Sequence, residues 1–184
     1  MGVTAFSITL IEKVNYTSVI ELGAQNLYDK DYGHPVYASA YYKGDYACID
    51  LNGENNALKL NLNEPLPLNF KTKYDLVTDF GTSEHTDNLH QCWKTKHHLC
   101  KVGGHIISEN PKTGNWKEHG HFYYTQEFYK ELAQAMNYTI VELGEYPAMG
   151  NTTDGWNVYC ILKKNDDNKF LTKITFNELP FCKS

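Results

Sequence analysis

Short, near-continuous apolar runs rich in β-branched residues recur along the chain, at residues 18–22, 46–51, 74–80, 104–108, 138–143 and 158–162. Runs of this length without strict alternation are the pattern of strands covered on both faces. Between them the apolar spacing changes to that of a helix. Residues 126–136 put Phe128, Leu132, Ala135 and Met136 on one face, with Thr125 as N-cap. A second stripe, Leu89, Cys92, Trp93 and Cys100, is expected to end at Gly103 and Gly104. A further helix is expected between Pro35, at its first position, and Gly44.

Strands alternating with helices imply a mostly parallel sheet joined by crossovers, with helices on both faces: a Rossmann-like, doubly wound α/β fold. The last two strands have a loop and no helix pattern between them, so an antiparallel C-terminal hairpin is expected on that sheet. No linker or repeat interrupts the pattern. A single domain over residues 1–184 follows, with a core at about 18–163 and an extension, 164–184, that adds a strand or meets a partner.

At 184 residues and 41% hydrophobic content the chain can bury a core without disulfides. Its net charge of -5 comes from interspersed Asp, Glu and Lys, which leaves no basic footprint for nucleic acid. Five cysteines, Cys48, Cys92, Cys100, Cys160 and Cys182, show no CxxC spacing and are read as reduced thiols. No apolar run reaches membrane-spanning length and the opening residues lack a secretory pattern. The expected location is the cytoplasm, without membrane association.

In a doubly wound sheet, ligands collect outside the carboxyl ends of the strands, where the winding direction switches. Three polar strand ends meet at that edge: Glu21-Leu22-Gly23, then Asp50-Leu51-Asn52, then Asp79-Phe80-Gly81. A glycine after the first strand lets backbone approach a ligand, and a carboxylate after the second accepts hydrogen bonds from ribose hydroxyls. Together they select for a nucleoside.

These stretches, VIELGAQN, YACIDLNG, LNLNEPLP, YDLVTDFGTSEHTDN and LCKVGGHIISENP in order, resemble the motifs of class I S-adenosylmethionine-dependent methyltransferases. The resemblance implies that Glu21, Gly23 and Gln25 surround the methionine part of the cofactor. It likewise implies Asp50 and Leu51 at the ribose and adenine, Leu62 or Asn63 at the adenine edge, and Asp79, Phe80 and Gly81 as the wall beside the sulfonium. Glu84 and His85 would lie near the cofactor's amino-acid end or the acceptor. Two departures stand out: Gln25 and Leu27 replace the second and third glycines of the family's loop, and Asp50 follows Gly23 by 27 positions against about 20 in the dinucleotide-binding template.

The segment Lys117-Glu118-His119-Gly120-His121 also hangs over the carboxyl edge. With His85, His119 and His121 are the candidates for a base or polar contact at the acceptor, since neutral imidazole accepts a proton near pH 7. Zinc chelation by His-x-His with Glu118 or His85 is the lesser reading, and no metal is expected. The expected function is methyl transfer from S-adenosylmethionine to a small-molecule acceptor, which needs mainly alignment. The alternatives are a non-catalytic Rossmann-like binding module and a nucleotide-dependent enzyme of other chemistry, such as an NAD-using reductase. With about 17 residues before the first strand, the acceptor side is expected to be open, or closed by a second copy or a partner chain.

Overall fold

The computed structural model describes residues 2–28, 36–148 and 154–183. Its central sheet has seven strands: β1 (Ser18–Leu22), β2 (Asp45–Asp50), β3 (Leu58–Lys59), β4 (Tyr74–Phe80), β5 (Cys100–Pro111), β6 (Tyr138–Pro147) and β7 (Trp156–Lys164). They lie in the order β6-β7-β5-β4-β1-β2-β3. The five strands from β3 to β5 are parallel, and β7 runs antiparallel to both of its neighbours, β5 and β6. The mostly parallel Rossmann-like sheet with an antiparallel C-terminal hairpin is therefore present. Winding proceeds one way from β1 through β2 to β3 and the other way from β4 to β5, which makes β1/β4 the switch point.

The pleat sorts side chains between two cores. Ile20 and Leu22 of β1 and Val77 of β4 join Trp93 of α2 (Leu89–Leu99) and Phe128 and Leu132 of α3 (Gln126–Ala135). Val19, Leu76 and Phe80 face the other way, against Leu10 and Ile11 of an N-terminal helix, α1 (Ala5–Ile11). That helix was not anticipated from the sequence. Its start is fixed by a capping box in which Thr4 and Ser7 each accept from the other's backbone.

Three expectations need correction. Described residues between Pro35 and Gly44 do not form an α-helix: Val36–Tyr37 pairs with Asn26–Tyr28, and Ala38–Ala40 is a single 3-10 turn. Pro35 itself lies outside the described residues. The second helix ends at Leu99, and Cys100 already belongs to β5. Gly103 and Gly104 form an irregularity in that strand, where the pairing with β4 shifts between Tyr74 and Leu76. A Cβ on Gly104 would lie 2.7 Å from the Asp75 carbonyl oxygen, so glycine is required by close strand approach rather than by a helix end. On α3, Ala133 rather than Ala135 faces the core.

The tail carries a helix as well as a short strand, the latter one of the two expectations for it. It packs as part of the fold, with a short helix, α4 (Lys173–Asn177), and Phe170 and Phe176 in the core beside α2 and α3. Its last strand, Cys182–Lys183, pairs with Phe122–Tyr123 outside the main sheet. Cys48, Cys92, Cys100 and Cys160 are buried free thiols. Among the described residues no helix is long and apolar enough to cross a membrane.

Candidate functional site

A cleft of about 150 Å³ opens at the switch point, walled by Gly23 after β1, Ile49, Asp50 and Leu51 at the end of β2, the Leu60 to Asn63 segment after β3, and Thr82, His85 and Thr86 after β4. Six of the residues singled out from the sequence line it: Gly23, Asp50, Leu51, Leu62, Asn63 and His85. Its size is below the roughly 300 Å³ at which cavities for whole small molecules begin.

Gly23 has φ of +81°, a left-handed conformation that favours glycine. The space beside it is already filled, since a Cβ there would lie 2.6 Å from both Gln25 Nε2 and Thr82 Oγ1. Gln25 folds back over the glycine and donates to Thr82 Oγ1 at 2.7 Å, and Thr82 donates to the Leu22 carbonyl at 2.7 Å. This three-membered tie joins the ends of β1 and β4 across the crevice.

Asp50 steadies the same loop. One carboxylate oxygen accepts from the Ala24 amide at 3.0 Å and the other from the Asn52 amide at 3.1 Å. A carboxylate offers about four lone-pair positions, so two remain, on a residue that lines the cleft. Asn63 is turned away from it: its side-chain oxygen accepts from the Asp87 and Asn88 amides at 2.8 and 2.9 Å.

Glu21 stands beneath the loop. It is fully buried and accepts from Tyr46 Oη at 2.8 Å, Tyr42 Oη at 3.2 Å and the Gln25 amide at 3.2 Å. Burial pushes its pKa up to about 8 in spite of those three donors. The carboxyl is therefore largely protonated at neutral pH.

At the end of β4 the Phe80 and Asp79 side chains are buried on opposite faces of the sheet. The pleat sends Phe80 into the α1 core. Asp79 points toward α2, where it is wholly buried in an ion pair with Lys96. Ser83 Oγ, Ser108 Oγ and Asn110 Nδ2 also donate to Asp79, at 2.5, 3.1 and 3.2 Å, and Lys96 Nζ sits 3.7 Å from the centre of the Trp93 ring. Burial would raise the Asp79 pKa, but the Lys96 charge and these hydrogen bonds hold it below the ordinary value. A contact from Asp79 to a ligand in the cleft could come only from main chain. Gly81, at φ of +80°, makes the turn that follows.

That turn, Ser83–His85, brings Glu84 and His85 to the loop after β5. Glu84 Oε1 lies 3.7 Å from His85 Nε2 and 3.7 Å from His119 Nε2. Burial raises the Glu84 pKa, and burial together with the neighbouring His119 lowers that of His85. His121 does not join them; it is exposed and lies 3.3 Å from Asp87 on the surface.

A larger cavity of about 530 Å³ lies elsewhere, under the Thr113 to Glu118 loop and bounded by Tyr123 and Asp154. It adjoins the carboxyl end of β5, starting two residues after Pro111 and reaching Tyr123. Convergent chemistry, rather than size, marks the smaller cleft as the site. Sequence reasoning missed Thr82, Tyr42, Tyr46 and Lys96. For Lys96 one signal existed, its position three residues after Trp93 on the same helical stripe.

No protein-family model matches this chain, and no curated protein matches it by sequence. Solved structures do share the fold. The N-methyltransferase NodS from Bradyrhizobium japonicum WM9, solved in complex with S-adenosyl-L-homocysteine, superposes with a TM-score of 0.64 at 11% identity, over 89% of each chain. The 1,6-didemethyltoxoflavin-N1-methyltransferase of Burkholderia thailandensis, solved with 1,6-didemethyltoxoflavin and S-adenosylhomocysteine, does so with a TM-score of 0.58 at 17% identity, over 85% of this chain and 74% of the other. This chain thus has the fold of S-adenosylmethionine-dependent methyltransferases.

Proposed function

We propose that this protein binds S-adenosylmethionine at the β1/β4 switch point and transfers its methyl group to a small-molecule nucleophile. The observation that carries this reading is the cleft itself: Gly23 and Asp50 stand at adjoining strand ends of a sheet whose fold it shares with NodS, which was solved with S-adenosyl-L-homocysteine. The cofactor supplies an electrophilic methyl on a positively charged sulfur. The chain's task is then to bind, orient and exclude water.

Asp50 takes the ribose hydroxyls on its two remaining lone-pair positions while holding the Ala24 and Asn52 amides. Leu51, Leu60 and Leu62 provide the apolar wall for adenine. Gly23 and Gln25 meet the methionine end, and its entry requires the Gln25 amide to leave Thr82. His85 and His119 face the acceptor side, at the mouth of the cleft. Glu21 acts from below, by holding the Gln25 amide and so the path of the loop.

Ultraviolet cross-linking with methyl-labelled S-adenosylmethionine tests the placement. Label in peptides carrying residues 19–28 or 45–63, displaced by S-adenosylhomocysteine and not by NAD, supports the reading. Label elsewhere, or label that S-adenosylhomocysteine does not displace, rejects it. The Gln25 tie and the small cleft favour a second reading, a binding module that has lost the cofactor. That reading predicts no displaceable label at all.

A further inference from the structure

The contact between the β4 turn and the β5 loop leaves polar atoms without partners. Glu84 has no exposed side-chain surface, yet neither carboxylate oxygen has a hydrogen-bond partner among the described residues, and His119 Nε2 is likewise buried without a hydrogen bond. Burying a carboxyl group without a donor is costly. The chain nonetheless holds it tightly. A Cβ on Gly120 would come within 2.9 Å of Glu84 Cγ, and the His121 amide donates to the Glu84 carbonyl at 2.7 Å. The loop carrying His119 is pinned as well: Tyr123 Oη accepts from the His119 and Gly120 amides at 3.0 and 3.3 Å and donates to the Trp116 carbonyl at 2.9 Å.

We propose that Glu84, His85 and His119 are a divalent-metal site, best suited to zinc, with an open fourth position at the mouth of the cleft. One donor atom from each of the three lies within 4.8 Å of the others. Around a tetrahedral zinc, bonds of about 2.0–2.2 Å place neighbouring donors roughly 3.3–3.6 Å apart. The two observed separations of 3.7 Å therefore need to close by a few tenths of an ångström, and the third, between the imidazole nitrogens and within 4.8 Å, by up to about 1.5 Å. His85 is the adjustable arm, since its side chain is 46% exposed. Two imidazoles and a carboxylate are a poor set for calcium or magnesium, which take mainly oxygen ligands. Three protein ligands with one position free is the arrangement of a zinc site that acts on a ligand rather than one that only holds a fold.

The open position would receive an oxygen, nitrogen or sulfur atom of the acceptor and ease loss of its proton. This role rests on the methyltransferase reading, whereas metal binding does not. The pairing differs from a His119/His121 chelate, because His121 points to Asp87.

The test uses the full chain, purified without a histidine tag, stripped with a chelator and titrated calorimetrically with zinc. One zinc per chain is expected. Changes to groups that merely support ligands cost about 10–100-fold in metal affinity, so Glu84→Gln and His119→Ala should each cost at least roughly 100-fold. His121→Ala should leave affinity unchanged. Circular dichroism checks folding, and cobalt titration of the unmodified protein gives a second readout that needs no variant: intense four-coordinate bands are expected. A weak six-coordinate spectrum, absence of stoichiometric zinc, or binding that survives Glu84→Gln and His119→Ala overturns the site. S-adenosylhomocysteine titrated into the same stripped protein separates the two proposals, since it binds without zinc if only the metal site is wrong.

Discussion

Replacing Glu21 by Gln removes a single titration from beneath the loop that follows β1. In the folded protein burial raises the pKa of Glu21 from an ordinary 4.5 to about 8. A raised carboxyl contributes stability that is fully present below the unfolded pKa and is lost as pH climbs through the folded one. At about 1.4 kcal/mol per pH unit, this amounts to roughly 5 kcal/mol over the whole window. Between about pH 5 and pH 8 the unmodified protein should therefore lose roughly 3–4 kcal/mol relative to Glu21→Gln. Other titrating groups cancel in the comparison. Urea unfolding of both proteins across that range, with equal denaturant slopes, measures it. The amide keeps an oxygen for Tyr46 and the Gln25 amide, and its NH2 can donate to Tyr42, whose hydroxyl then donates to Thr78, so the variant should fold. A stability difference that stays flat with pH would mean that Glu21 is ionised and that its three donors outweigh burial, which refutes the reasoning.

Lys96→Met leaves Asp79 charged and unpaired in the core, where only hydroxyls, the Asn110 amide and turn N–H groups remain; a loss of about 3–5 kcal/mol in unfolding free energy is expected, largely recovered by adding Asp79→Asn. Asp50→Ala should weaken S-adenosylhomocysteine binding by about 1.5–3 kcal/mol in calorimetry, and unchanged affinity in a folded variant would remove Asp50 from the site. Gly23→Val forces a branched side chain into φ of +81° and against Gln25 and Thr82. It should cost roughly 1–3 kcal/mol from the backbone alone and eliminate cofactor binding, as thermal unfolding and calorimetry would report. Gln25→Gly releases the tie to Thr82 and should tighten S-adenosylhomocysteine binding; weaker binding would make the Gln25 amide a ligand contact instead of an obstruction.

The fold was most legible where burial on both faces imposes an unbroken apolar run. β1 and β4 fall on the boundaries read from the sequence because nothing but a strand end interrupts Ser18–Leu22 or Tyr74–Phe80. Gly103 and Gly104 misled because a glycine pair serves a helix end and a strand irregularity equally well; only the approach of the Asp75 carbonyl distinguishes them. The Pro35 to Gly44 reading counted helix boundary residues, but Val36 and Tyr37 find strand partners in Asn26 and Leu27, a contact no local pattern encodes. The same limit governs the site. Gly23 and Asp50 are strand ends, which sequence position locates. The direction of Asp79 depends on the phase of the pleat and on Lys96, and the meeting of Glu84 with His119 joins residues 35 positions apart.

The most direct test of the central claim is a calorimetric titration of the unmodified protein with S-adenosylhomocysteine and, separately, with NAD. A nucleoside-thioether site formed by Gly23 and Asp50, without the glycines that cradle a pyrophosphate, predicts one S-adenosylhomocysteine per chain and at least about tenfold weaker binding of NAD, a difference of roughly 1.4 kcal/mol. Binding of NAD as tightly as S-adenosylhomocysteine, or no binding of S-adenosylhomocysteine by either the unmodified protein or Gln25→Gly, would contradict it.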